Sequence, residues 1–324
     1  MKPEAKSSWT IVQEWFDSRT GDEKPATPVS GPDRVEWARV LPFVLMHVAC
    51  FAVIWTGFSP AAIGVAIALY LVRMIAITGF YHRYFSHRSF KTGRIFQFVM
   101  ALIGAMAVQR GALWWAAHHR HHHRHSDLEE DLHSRKHHGF LWSHVGWFTS
   151  KRNFRTRSSA IQDFERFPEL VFLDRYDTLV PIVFAFLLLG LGSLLGAVAP
   201  GLGTNGPQML VWGFFISTVV LHHATFTINS LAHDFGRRRY NTADNSRNSL
   251  VLALLTLGEG WHNNHHHYPH AARQGFFWWE IDITWYVLKG LALIGLIWDL
   301  KGVPNETRSA TARSELASAE GGDA

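Results

Sequence analysis

Twenty-one histidines occur in this 324-residue chain, and most of them fall into three short clusters. The first is His82-Arg-Tyr-Phe-Ser-His87, the second runs from His118 to His125, and the third is His262-Asn-Asn-His265-His266-His267. Neutral imidazole is a ligand that suits iron, zinc, copper and nickel. Each cluster lies beside a long apolar segment, so the pattern points to a multi-histidine metal centre acting on an apolar substrate at a membrane. Cys50 is the one cysteine. An internal disulfide and a thiolate metal site are thereby excluded, leaving nitrogen and oxygen ligands.

Positions i, i+3 and i+4 share one face of a helix. His119, His122 and His123 fit this spacing, as do His262, His265 and His266, so each helix is expected to present three imidazoles in one direction. His118, His121 and His122 have the same spacing, and the sequence does not choose between the two sets. The first cluster differs, because a five-residue step rotates ~140° around an α-helix of about 3.6 residues per turn. Either the helix breaks near Phe80, or His82 and His87 serve different metals. Asn229 and His233, one turn apart where the last apolar segment ends, add a further contribution. Two first-row metals would each receive four or five nitrogens, a use that suits two irons sharing O2 reduction better than redox-inert zinc. The carboxylates Glu129, Glu130, Asp131, Asp234 and Glu259 suit an outer role, orienting ligand rings. Outer or surface positions are expected for His121, His125, His137, His138, His144, His267 and His270. His47, His222 and His223 should be hydrogen-bonded within spans.

The elements that position these residues read as membrane helices. The chain is 48% hydrophobic, concentrated in segments long enough to cross a bilayer, which takes about 20 apolar residues. Spans are expected at about 41–58, 61–80, 179–199 and 209–227. Ile95–Gln109 offers only about 22 Å of helix at ~1.5 Å per residue. A single crossing there would also put the first two histidine clusters on opposite faces. Helices at about 95–117 and 276–300 are therefore read as interfacial. The fold class is all-α integral membrane: four transmembrane helices in two hairpins under a helical cap. Residues 1–36 read as a flexible arm with a short amphipathic helix around Trp9–Trp15. The membrane domain covers 37–303, and 304–324 a disordered tail. Lys151, Arg152, Arg155, Arg157 and Arg237–Arg239 flank the spans at one end. The positive-inside rule therefore places both termini and every histidine cluster in the cytosol, at the inner membrane if the source is bacterial. The net charge of +5 is too small to indicate nucleic acid.

Five motifs carry a resemblance: Tyr81-His-Arg-Tyr-Phe-Ser-His-Arg-Ser-Phe90, His119-Arg-His-His-His123, Ser143-His-Val-Gly-Trp147, Asn229-Ser-Leu-Ala-His233 and Gly258-Glu-Gly-Trp-His-Asn-Asn-His-His266. From about Pro42 to Trp298 the chain resembles the membrane fatty acyl desaturases, the group containing stearoyl-CoA desaturase and bacterial and cyanobacterial delta-9 enzymes. The resemblance implies two irons held by His82, His87, His119, His122, His123, His233, His262, His265 and His266, with Asn229 acting through a water. It implies O2-dependent formation of a cis double bond, most simply delta-9, in a long-chain acyl group, with electrons from a separate donor. It also places Gln109 and Trp115 on an acyl tunnel. Asp234 and Glu259 are expected to support the ligands. Where the CoA-using animal enzymes have an Arg-Asp pair, this chain has Ala117 and His118, so CoA, lipid and acyl-carrier-protein substrates all stay open. No His-Pro-Gly-Gly haem motif is present; the donor is expected to be a cytochrome b5, ferredoxin or rubredoxin type protein. A hydroxylase or acetylenase on the same site, or a metal-transporting or metal-storing membrane protein, are the alternatives.

Overall fold

The computed structural model describes residues 8–18 and 35–310, and the fold is mostly helical. Helix α1 is Ser8–Phe16 and α2 is Trp37–Cys50. A continuous helix α3, Pro60–Ser86, is followed by α4 (Arg94–Ala105) and α5 (Ala112–His125). The order continues through α6 (Pro168–Arg175), α7 (Leu179–Val198) and α8 (Gly206–Ser230). Then come α9 (Leu250–Leu255), α10 (His262–His267) and α11 (Ile283–Leu293). A two-residue ribbon pairs β1 (Lys91–Thr92) with β2 (Ile297–Trp298).

Among the described residues three helices, α3, α7 and α8, are long and apolar enough to cross a membrane. The span expected at 41–58 is shorter and divided: α2 stops at Cys50, and a four-residue helix resumes at Val53. The pattern of exposure fits lipid. Leu179, Ile182, Val183, Phe186 and Leu187 on α7 are exposed, as are Leu41, Leu45 and Val48 on α2, a surface water would not tolerate.

Capping and polar ties hold the ends of the helices remote from the histidines. The Ser59 hydroxyl accepts from the Ala62 amide, with Pro60 at the first helical position where a missing N–H costs nothing. That hydroxyl also donates to Gln208 at 2.6 Å, joining the start of α3 to the start of α8. Within the bundle, buried Arg73 donates to Ser217, Thr218 and the Met106 carbonyl. An ionisable group inside an apolar segment must be satisfied in this way.

The helix expected at about 95–117 is two helices. The chain breaks between Ala105 and Ala112, where Val108 and Arg110 adopt positive φ. Tyr81 stabilises the break, its hydroxyl donating to the Ala101 and Arg110 carbonyls at 3.3 and 3.4 Å. Gly104 is required there, since a Cβ would lie 2.0 Å from the Tyr81 ring. The reversal sends α5 back along the end of α3, bringing the second histidine cluster to the first. The segment expected at 276–300 likewise shortens to α11 plus β2. Within the tail expected to be disordered from 304, residues 305–310 are helical, and Tyr240 donates to the Arg308 carbonyl; 311–324 lie outside the described residues.

Candidate metal centre

The first cluster departs from both alternatives its spacing allowed. Helix α3 does not break at Phe80; from Ala76 to Ser86 it widens into a π-helix. The His87 amide donates to the His82 carbonyl, an i→i+5 bond, at 3.2 Å. In that pattern five residues make about one turn, so His82 and His87 come to one side with ring centroids 4.9 Å apart.

Nine imidazoles converge in two groups. His82, His87, His119, His123 and His265 form the first, and His122, His233, His262 and His266 the second; within each, one nitrogen per ring lies within 4.8 Å of all the others. The i, i+3, i+4 sets do not each face one way. His119 and His123 of α5 enter the first group while His122 enters the second. On α10, His265 enters the first and His262 and His266 the second. The i and i+4 side chains lie ~40° apart, whereas i+3 is rotated ~60° to the other side. Each helix thus serves both groups.

Hydrogen bonds decide which nitrogens are free to coordinate. Nδ1 of His122 meets Asp131 at 3.1 Å, Nδ1 of His233 meets Asp127 at 3.0 Å and Nδ1 of His266 meets Asp244 at 2.6 Å, and Nδ1 of His82 meets Glu259. An ionised carboxylate only accepts, so each Nδ1 carries the proton and each Nε2 holds a lone pair aimed into its group. Nε2 of His265 lies 3.0 Å from Nε2 of His82 and 2.9 Å from that of His123. Nε2 of His87 and His119 are 2.8 Å apart. Metal–nitrogen bonds of about 2.1 Å at angles near 90° place neighbouring nitrogens about 3 Å apart, so the donor set fits a first-row metal in each group.

The electrostatics agree with metal binding. Burial, reinforced by neighbouring rings, holds His87, His119, His123, His262 and His265 well below the ordinary histidine range. Burial opposes ionisation of Asp127, but the bond and charge of His233 outweigh it and bring the carboxyl down to about 2. Asp131 and Asp244 are depressed in the same way by His122 and His266, against the penalty of burial. Neutral rings backed by ionised carboxylates are what a cation requires.

The Glu259 carboxylate stands against Nδ1 of His82, and fully buried Arg83 holds it there. That guanidinium donates to Glu259 at 3.1 Å and to both oxygens of Asp282 at 2.9 and 3.0 Å. Gly258, at φ +136°, leaves room for this pair, because a Cβ would sit 2.4 Å from Asp282. Asp234 does not support a ligand. It pairs with Arg135 near the surface, and His233 turns instead to Asp127. Glu129 and Glu130 are exposed, and the Glu130 carbonyl, not its carboxylate, meets His121. His118 bonds to the Trp114 carbonyl and joins neither group. His47, His223 and His144 form a hydrogen-bonded chain with steps of 3.0 Å, and His222 bonds to the Ala107 carbonyl.

Several positioning residues escaped the sequence reading. Asp127 and Asp244 lie 106 and 22 residues in sequence from His233 and His266, the rings they orient. His133 is buried beside Asp131, its ring 4.3 Å from that of His122. Asn263 accepts the Arg239 and Tyr240 amides, and Asn264 donates to Glu280 and the Gln274 carbonyl, fixing α10. The repeated Asn inside the third cluster was the available signal, since two buried amides between ligands must have partners.

A cavity runs beside both groups, past His82, His119, His122, His262 and Asn229. Gln109 and Trp115 line it. Gln109 donates to the Thr225 hydroxyl at 2.8 Å and accepts from the Trp115 indole at 3.4 Å, and the indole stacks on His119. Ile77, Phe43, Met46 and Phe148 supply much of the apolar wall.

Comparisons with known proteins agree with this geometry. The fatty acid desaturase family model matches residues 57–293. An sn-1 stearoyl-lipid 9-desaturase of Anabaena variabilis is 38% identical over 83% of this chain and 94% of its own length. An sn-2 palmitoyl-lipid 9-desaturase of Nostoc sp. (strain 36) is 38% identical over 81% of the chain and 89% of its length. A delta-9 acyl-lipid desaturase 1 of Arabidopsis thaliana is 35% identical over 85% of the chain and 86% of its length. The chain belongs to the fatty acid desaturase family. It is an oxidoreductase that desaturates fatty acyl chains, and its apolar helices make it a membrane protein.

Proposed function

We propose that the chain introduces a cis double bond at the delta-9 position of a saturated acyl chain carried on a membrane lipid, at a centre of two irons. The nine named histidines would hold the metals, five in one group and four in the other, with Asn229 acting through a water at the second. The observation that carries this reading is the convergence of nine lone-pair nitrogens, four of them fixed by carboxylates, in two groups whose His82, His119, His122 and His262 line one cavity. When bound, paired irons supply the redox capacity for O2 reduction.

The overall chemistry removes one hydrogen from each of two adjacent methylenes and reduces one O2 to two waters. Two electrons and two protons come from outside, the electrons from a separate protein donor. The chain's own residues do the positioning. Trp115, stacked on His119, and the Gln109–Thr225 pair form a rigid wall beside the histidines, so one pair of methylenes is held at the centre. Asp127, Asp131, Asp244 and Glu259 keep their imidazoles in the ligating tautomer. The apolar cavity excludes bulk water from the reacting carbons.

The delta-9, lipid-linked assignment is supported by the names of the relatives. Four crossings in two hairpins, with the histidines and both termini cytosolic, are supported by the three long apolar helices, by the divided α2 and by the basic residues flanking them. The test is to map double bonds in the lipids of a host expressing the chain, beside a His262→Ala control. New delta-9 bonds with the wild-type chain alone are expected. A product that has gained oxygen rather than lost two hydrogens would overturn desaturation as the outcome.

A further inference from the structure

A second cavity, about 540 Å³ in volume, shares no lining residue with the first. That size lies within the ~300–1,000 Å³ usual for a small-molecule site. The ribbon β1–β2 frames it, together with the start of α4 and the segment that precedes α6. Arg88, Lys91, Arg94, Arg166 and Lys301 line it, against a single lining carboxylate, Asp299. The guanidiniums lie over rings. Arg88 is 5.4 Å from the centre of Phe164, and Arg94 and Arg166 are 5.6 and 4.9 Å from that of Phe167. A lining both cationic and aromatic fits an amphiphile that bears an anion.

The cations are available to such a ligand. Arg88 pairs with Asp163 at 2.9 Å, Lys91 with Asp299 at 2.8 Å and Arg94 with Glu169 at 2.7 Å, and each basic side chain is more than half exposed. Exposed pairs contribute only about 0–1 kcal/mol, so an incoming anion competes with them. Among the described residues Arg166 and Lys301 pair with no carboxylate. Five cations against three carboxylates leave two positive charges uncompensated, and Glu165, next to Arg166, does not line the cavity. A buried donor also lacks an acceptor. Gln97 is 3% exposed and lines the cavity; its Oε1 accepts from the Tyr84 hydroxyl at 2.9 Å, while its Nε2 meets no acceptor among the described residues. A buried donor left so costs about 1–3 kcal/mol, and a phosphate oxygen would satisfy it. The framing elements fit a bilayer surface. Ile95 on α4, Leu293 and Ile294 at the end of α11 and Trp298 of β2 are all exposed. Apolar side chains so placed suit lipid, and tryptophan is favoured at headgroup level. Clustered basic residues at that level recognise anionic head groups.

We infer that this second cavity binds an anionic phospholipid of the surrounding bilayer, its phosphate held by Arg166, Lys301 and the Gln97 amide and its glycerol carbons against Phe164 and Phe167. The site is separate from the histidine centre, so it holds lipid whether or not that lipid is a substrate, and it pins the ribbon and the start of α4 to the membrane surface. The test places the full-length chain in phosphatidylcholine bilayers with a trace of phosphatidylglycerol carrying a diazirine beside the sn-2 ester. A second arm uses phosphatidylcholine with the same diazirine. After illumination, peptides covering 88–97 and 164–167 should be labelled at least five-fold more by phosphatidylglycerol. Arg166→Gln with Lys301→Gln should cut that labelling at least five-fold at unchanged iron content, whereas Arg166→Lys with Lys301→Arg, which keeps both charges, should label as wild type. Equal labelling by the two lipids would overturn the site, as would labelling confined to the residues lining the first cavity. Loss of labelling in the charge-preserving pair would overturn the role of charge. Inorganic phosphate in excess should leave the labelling intact; if it abolishes it, the cavity takes free phosphate and the lipid assignment falls. The comparison of the two lipids on the wild-type chain decides the matter even if the glutamine pair fails to fold.

Discussion

At the scale of the residue, two carboxylates within nine sequence positions of the ligand they neighbour can have opposite importance, and burial separates them. Asp131 is 1% exposed and holds His122, whereas Asp234, next to His233, pairs with Arg135 with nearly half its side chain in solvent. Partners that orient a ligand typically contribute ~10–100-fold to metal affinity or activity, while an exposed ion pair contributes about 0–1 kcal/mol. Asp244→Ala should therefore lower iron retention and desaturation by roughly 10–100-fold. Asp234→Ala should leave both near wild type, as read by metal analysis and fatty acid profiling of the same membranes. Asp282→Ala is expected to act on stability first. It strips fully buried Arg83 of its bidentate partner, a change that costs about 3–5 kcal/mol, and it should lower the melting temperature in detergent by more than any loss of iron explains.

At the scale of the element, the π-helical end of α3 sets the ligand geometry. An α-helix would turn His87 away from His82 by ~140°. Inserting one alanine between Ser86 and His87 puts the two rings six residues apart, ~120° from each other in an α-helix; it should shift His87 away from the first group and reduce iron content toward that of His87→Ala, with membrane insertion preserved. Full iron occupancy in the insertion variant would show that the register of His87 is dispensable. The break between α4 and α5 matters in the same way, because α5 can run alongside α3 only if the chain reverses at Val108 and Arg110.

At the scale of the whole molecule, the histidine centre ties distant segments together, so metal and pH should both act on global stability. The unfolded chain takes up protons at histidine below about pH 6.5. In the metal-free fold, His87, His119, His123, His262 and His265 bind protons only well below that value. Stability of the metal-free protein is thus present above about pH 6.5 and declines as pH falls, by up to ~1.4 kcal/mol per pH unit for each ring. Melting curves of chelator-treated protein should shift down by several degrees between pH 7.5 and 5.5. At pH 7.5, iron-loaded protein should melt higher than stripped protein, because a ligand bound only by the folded state stabilises it.

Local chemistry was legible in the chain: which imidazoles are available, which segments are apolar enough for lipid, and that Glu259 stands beside the third cluster. These depend on side-chain type and short spacing, which the sequence states directly. The resemblance it carries also identified the nine rings that meet, ahead of any coordinates. How they divide did not follow, because α-helical spacing sends His119 and His123 one way and His122 another only once a partner helix is in place. The union of His82 with His87 needed a π-helix, whose cost is offset by contacts made elsewhere in the fold. Asp127 and Asp244 reach their histidines across gaps of 106 and 22 residues, and the second cavity forms where the ribbon meets α4 and the segment before α6. Such pairings exist only after the chain has closed on itself, since a long loop has no preferred partner until packing selects one.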